Sequence, residues 1–384
     1  MKHRTCGLVL FLVAAAGGCV VKLGDDPANQ VERTPNMPQA GAAAVDGERA
    51  PTTRADEPLP QGEWRNVTGS LAGLMSECGD LHGLSTKPGE DTLIAGVALR
   101  GLYARSGPDG DWQALGTAAG SAMITHRPST FVFDPEQRST WWVSGIYNGL
   151  GVFRTRDDGK SFQALGDLHH ADSVAVDFTD PERKTLIVGG HETARTVYRS
   201  TDAGATWQSI GGGLPGDMAC QSVAVLDART YLIGCDYGGE GIYRTTDAGE
   251  SWDMVSAIGG SKVPLRSTDG SIFWAQPNGG LVRSTDQGMT WAAVTPPGSI
   301  KPLTPVELPD GRIAALGSER ILVSSDHGTT WKPASAPLPF QDTSGFVYSA
   351  EQKAFFIKHF QCAFTVPDTV LPDAIMSFEF DYER

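Results

Sequence analysis

Polar and apolar residues alternate along this chain in short runs that are cut off by glycine, proline, asparagine and aspartate. Asp172 to Asp177 alternates, Thr185 to Gly189 is an apolar run, and Thr196 to Arg199 follows after a loop. A period of two between turn formers predicts β-strands, here three in succession. The same triplet recurs along most of the chain, ending with Phe346–Ser349, Ala354–Lys358 and Ala374–Phe380.

Most third strands run into one motif. It reads Ser200 to Trp207, Thr245 to Trp252, Ser284 to Trp291 and Ser324 to Trp331, with Asp third, Gly fifth, Ser or Thr seventh and Trp last. A fifth copy, Thr155 to Phe162, carries Phe for Trp, and Ser106 to Trp112 is a degenerate copy one residue short. The Asp residues of the five full copies, Asp157, Asp202, Asp247, Asp286 and Asp326, are 45, 45, 39 and 40 residues apart. That interval is the length of a four-stranded propeller blade, so the fold class is all-β, a single β-propeller. Six units carry the motif and a seventh lacks it. Trp64 to Thr68 reads as a strand following a motif Trp, although no motif precedes it. Its natural place is in the last blade, closing the ring and removing a free sheet edge. Seven blades result, with six or eight as alternatives.

The motif resembles the Asp-box, or BNR repeat, of sialidases, sortilin-type receptors, xyloglucanases and photosystem assembly factors, and the resemblance covers residues 64–384. It implies a structural role for the five Asp residues, as acceptors for backbone N–H groups across a tight turn in which Gly supplies positive φ. The Trp is then expected to pack between blades. Arg105, Arg154, Arg199, Arg244 and Arg283, which precede the motifs, recur for the same reason. The resemblance also places motif turns on one face of the ring and ligand-binding loops on the other.

Composition refines this picture at the N-terminus. Residues 1–19 combine basic residues, an apolar stretch from Leu8 to Ala16 and small residues before Cys19, which is the form of an export signal. Ala16 to Cys19 resembles the bacterial lipobox, so Cys19 is the expected lipidation site and the protein an exported lipoprotein of the outer membrane or cell surface, with a periplasm-facing position as the alternative. Residues 20–63 lack aromatics and carry six prolines, which predicts a disordered tether, with the propeller occupying 64–384. The net charge of −14 argues against nucleic acid as a partner. The expected membrane contact is through the lipid only, and the expected state is a monomer.

Sorted by predicted loop, His82, His126, His169, His170, His191 and His359 fall on the face opposite the motifs, with Asp172, Glu192, Asp236, Tyr237 and Glu240. A polar binding surface is the reading adopted. A metal held by His169, His170 and Asp172 with His191 and Glu192 is the alternative, but no tight ligand spacing supports it, so no cofactor is assigned. Cys78, Cys220, Cys235 and Cys362 allow three disulfide pairings. Cys220 and Cys235 flank a predicted hairpin turn symmetrically, which would leave Cys78 and Cys362 to tie the ring seam. The function expected is binding of a protein or glycan. A sialidase-like or other glycoside hydrolase is the alternative, although sialidases carry an Arg-Ile-Pro that this chain lacks. Asp172 with Asp236 or Glu192 would supply its two carboxylates.

Overall fold

Residues 62–72, 74, 81–359 and 374–383 are described by a computed structural model of the chain. The leader with Cys6 and Cys19, nearly all of the expected tether, Cys78 and Cys362 lie outside these residues. The strands form seven four-stranded antiparallel sheets. Each of the first six uses consecutive strands: blade 1 runs from Leu81 to Ala114, blade 2 from Arg127 to Ala164, and blade 3 from Ala171 to Ser209. Blade 4 runs from Ser222 to Ser256, blade 5 from Ser261 to Ala293, and blade 6 from Val306 to Pro333. First strands of successive blades from 1 to 5 touch one another, and that of blade 1 also touches that of blade 7. The fold is a seven-bladed β-propeller without α-helices among the described residues.

Blade 7 is assembled from both ends of the chain. Gly345–Ser349, Ala354–His359 and Ala374–Glu379 are completed by Arg65–Asn66, which pairs antiparallel with Ser377 and Met376. Two further bonds extend the seam: Val67 N–H donates to Ile375 O and Ile375 N–H to Thr68 Oγ1, both at 2.9 Å. Trp64 packs on Phe378 with ring centroids 5.1 Å apart and donates from Nε1 to Pro337 O at 2.8 Å.

The second strand of each blade is the most deeply buried. Trp141–Ile146, Leu186–Gly190, Tyr231–Cys235 and Ile313–Leu316 are buried at every position. Such strands are covered on both faces by the adjacent blades, which explains their apolar composition. Apolar clusters accordingly span neighbouring blades, as where Trp141 of blade 2 meets Phe162 edge-on at 5.1 Å, beside Ile94 and Leu102 of blade 1.

The repeated turn is held by one set of side-chain bonds. In blade 3, Ser200 Oγ donates to Asp202 Oδ1 and accepts from Gly204 N–H, both at 2.8 Å. Asp202 Oδ1 accepts from Thr206 N–H at 2.9 Å and its Oδ2 from Thr206 Oγ1 at 2.6 Å. The same four bonds recur around Asp157, Asp247, Asp286 and Asp326. Gly204 has φ +88°, and a Cβ there would lie 2.8 Å from Leu165. The preceding residue is also left-handed in every copy: Asp158, Ala203, Ala248, Gln287 and His327 have φ between 57° and 66°. The motif indole then reaches the previous blade in blades 1, 3 and 4, where Trp112, Trp207 and Trp252 donate to Val67 O, Leu165 O and Ile210 O. Trp291 and Trp331 bond instead to the Gly carbonyl of their own turn.

These bonds favour the carboxylate form. Asp202 is drawn down to about 2, first by the Thr206 hydroxyl and then by its amide, and Asp286 to about 2 by the same groups of Thr290. A depressed carboxyl stabilises the fold above its unfolded value near 3.9, and that contribution is lost as pH falls through the folded value. Melting temperatures measured from pH 6 to pH 2 are expected to drop mainly below about pH 4. The fall should be shallower in an Asp202→Asn, Asp286→Asn double variant.

Candidate functional site

The face opposite the motif turns is shaped by irregularities in the first strands. In blade 3, Ala171 pairs with Gly190 and Ser173 with Gly189, so Asp172 between them has no partner in the ladder. His82 in blade 1 and Ser129 in blade 2 occupy equivalent unpaired positions, and blade 5 loses register after Ser261, at Lys262. A bulge of this kind bends the strand and re-aims the extra side chain. Close approach of the next blade accompanies it: a Cβ on Gly189 would stand 2.5 Å from Gln221 O.

The bulged strands of blades 1, 2 and 3 are each tied to the following blade. His82 Nδ1 lies 2.9 Å from Pro128 O, Ser129 Oγ donates to Asp172 O at 2.5 Å, and Ser173 Oγ donates to Gln221 O. Thr130 Oγ1 also donates to Asp172 O, at 3.1 Å. The backbone of Asp172 is therefore clamped from blade 2, which leaves its carboxylate to pair with a side chain of its own blade.

That carboxylate meets His191. Asp172 Oδ2 is 2.6 Å from His191 Nδ1, and His191 Nε2 is 2.8 Å from the hydroxyl of Tyr147 in blade 2. Glu192 Oε1 lies 3.6 Å from the same Nε2. The Tyr147 ring stands edge-on to His191 and to His170, at 5.1 and 5.3 Å, with the Arg127 guanidinium 4.8 Å from its centroid. Tyr147, His170 and Glu192 all have positive φ, and His191 N–H donates to His170 O at 2.8 Å. Left-handed backbone at bulky residues is uncommon and concentrates at functional positions. The polar band continues through Gln221, whose Nε2 donates to Asp236 Oδ1 at 3.1 Å, and on to Ser261 and Lys262 of blade 5.

Electrostatics divide the band. Burial lowers the affinity of His191 for a proton, but the hydrogen bond and charge of Asp172, then Glu192 and Gln221, outweigh it, and the imidazole lies above its ordinary value. Asp236 is raised as well, chiefly by burial, against the opposing pull of Ser261 and Lys262. His82 is driven down to about 3 by burial and then by the Lys358 charge, so it is neutral.

Of the residues selected from sequence, Asp172, His170, His191 and Glu192 come together, and Asp236 joins them through Gln221. Tyr237 is exposed in the loop after Asp236. His169 lies on the same rim, its Nδ1 2.7 Å from Gly149 O. His126 does not belong to this surface: it is fully buried against Phe153, at 5.3 Å, and burial takes it down to about 4. His359 is likewise buried, with Nδ1 2.9 Å from Asp342 O. The histidines therefore do not converge on one sector. Among the described residues, no group of three His, Cys, Asp or Glu side chains is placed to hold a metal ion. Tyr147, Gln221 and Lys262 escaped the sequence reading. A loop tyrosine in blade 2 equivalent to Tyr237 in blade 4 was the available signal. Cys220 and Cys235 form a disulfide beside Gln221 and Asp236.

A seven-bladed propeller with a polar, aromatic-rimmed band across blades 2 to 5 is the class of protein that fold and site define. The family model described as the DUF6242 beta propeller domain matches residues 211–356. No curated protein sequence matches the chain. Among solved structures, a GH74 enzyme of Niastella koreensis aligns with a TM-score of 0.57 at 16% identity, over 74% of this chain and 52% of that one. The chain thus spans about half the length of that enzyme. The extracellular domain of BT3049 from B. thetaiotaomicron, described as a hybrid two component system, gives 0.58 at 12% identity, over 83% of this chain and 42% of that one. U3-55K gives 0.57 at 10% identity, over 83% and 98%. At these identities the likeness is one of fold. No helix among the described residues is long and apolar enough to cross a membrane.

Asp172→Asn should lower the His191 titration midpoint, because it removes the carboxylate charge that favours the protonated imidazole. Imidazole nitrogen shifts followed by NMR against pH measure this directly.

Proposed function

We propose that the chain is an exported binding module, lipid-anchored through Cys19 and carried on the tether of residues 20–63, whose propeller face takes a protein or glycan ligand at the cell surface. The observation that carries this reading is the continuous polar band from Tyr147 through His191, Asp172, Gln221 and Asp236. Its members are supplied by bulges and loops of successive blades and are each partly exposed. Exposed Tyr237 and the rim histidines add flat surfaces on which a sugar ring or a side chain can stack. The extracellular placement of the BT3049 domain suits an exported role.

A glycoside hydrolase is the second reading. It is favoured by Asp236, whose carboxyl is raised by burial as that of a general acid is, and which lies in the same band as a second carboxylate, Asp172. Against it, Asp172 is already engaged by His191 at 2.6 Å, as an orienting group is, rather than left open as a nucleophile.

Glycan arrays and capture of cell-surface proteins by the purified protein test the two together. Binding without bond cleavage is the expected outcome. Tyr147→Ala and Asp236→Asn should each weaken binding about tenfold, the effect of losing one hydrogen-bonding group. Hydrolysis of a glycan by the wild type, abolished in Asp236→Asn, would establish the enzyme reading instead.

A further inference from the structure

We propose that Tyr147 sets the specificity of this face, and that protonation of His191 reverses the hydrogen-bond polarity Tyr147 offers to a ligand. The inference rests on the binding reading above. A neutral imidazole has one N–H and one lone pair. Nδ1 lies 2.6 Å from a carboxylate oxygen that can only accept, so the proton sits there and Nε2 carries the lone pair. Tyr147, 2.8 Å from Nε2, must then donate its single hydroxyl hydrogen to His191. The phenol oxygen is left to present lone pairs outward, so the face selects a ligand that donates.

Adding a proton at Nε2 changes this without moving a ring. The new N–H points at the Tyr147 oxygen at 2.8 Å, with Glu192 Oε1 at 3.6 Å as the other acceptor. The hydroxyl hydrogen is displaced outward, and the face now offers a donor where it offered an acceptor. One proton is taken from solvent and no other bond changes.

The surroundings fix where the change occurs. Asp172 on the first strand of blade 3, Glu192 on the next loop and Gln221 at the edge of blade 4 favour the cation, and burial opposes it. Asp236 faces Asp172 from blade 4, and His82 from blade 1 is neutral. The net effect places the transition above the ordinary imidazole value. Arg127 over the Tyr147 ring and His170 at its edge hold the phenol in place, so the hydroxyl rotates while the ring stays.

The test needs no ligand. In the full chain, the Raman tyrosine doublet of wild type minus Tyr147→Phe reports whether this hydroxyl donates or accepts. A donor signature at pH 8.5 that turns into an acceptor signature at pH 5.5, with the midpoint of the His191 imidazole titration, is the expected result. In Asp172→Asn both midpoints should fall together. The Tyr147 ζ-carbon shift, assigned in the wild type, gives the same reading should the variant fail to fold. A hydroxyl signature that stays constant while His191 titrates, or a His191 that does not titrate, would overturn the proposal. Neither result would touch the binding reading, which fails only if the wild-type face captures nothing.

Discussion

Closure of the ring is the constraint on which the other features of this propeller depend. A blade cannot bury its second strand alone, because both faces of that strand need a neighbour, and an open ring would leave two such strands half covered. The two residues Arg65 and Asn66, pairing with Ser377 and Met376, give the last blade its fourth strand and cover the outer edge of Ala374–Glu379 there. The indole of Trp112 in blade 1 then bonds to Val67 O, just beyond that strand, so closure also seats the first blade.

The closed ring turns small backbone irregularities into a defined surface. Bulges at His82, Ser129 and Asp172 sit where first strands crowd around the axis, and each is anchored on the backbone of the next blade, that at Asp172 through the adjacent Ser173. Because Asp172 is clamped by Ser129 and Thr130 through its carbonyl, its carboxylate meets His191 in one orientation. His191 in turn determines what Tyr147 can offer. The site is thus a chain of contacts crossing blade boundaries, and its precision derives from the ring.

The parts of this arrangement legible in the sequence are those that demand particular side chains. The turn around Asp202 needs a hydroxyl, a carboxylate, a glycine and another hydroxyl at set intervals, and that requirement makes the blades countable by eye. The pairing of Trp64 to Thr68 with the C-terminal strands was legible for the same reason, as a strand without its motif. Bulges demand no residue type: Asp172 and Ser129 satisfy the same backbone role with different chemistry. Their effect on direction was therefore invisible, and with it Gln221 and Lys262. The histidines show the cost. His126 and His359 lie at strand ends, where one residue decides between core and mouth, and both turn inward. Tyr147 went unseen because its partner, His191, is 44 residues away and reaches it only once two blades stand side by side.

Native-state hydrogen exchange tests the dependence on closure most directly. The amides of Val67, bonded to Ile375 O, and of Ile375, bonded to Thr68 Oγ1, should exchange as slowly as those of the buried second strands. The His191 amide, bonded to His170 O, should be protected with them. Rapid exchange at Val67 and Ile375 while His191 stays protected would contradict the account, since the site would then hold its shape without a closed ring.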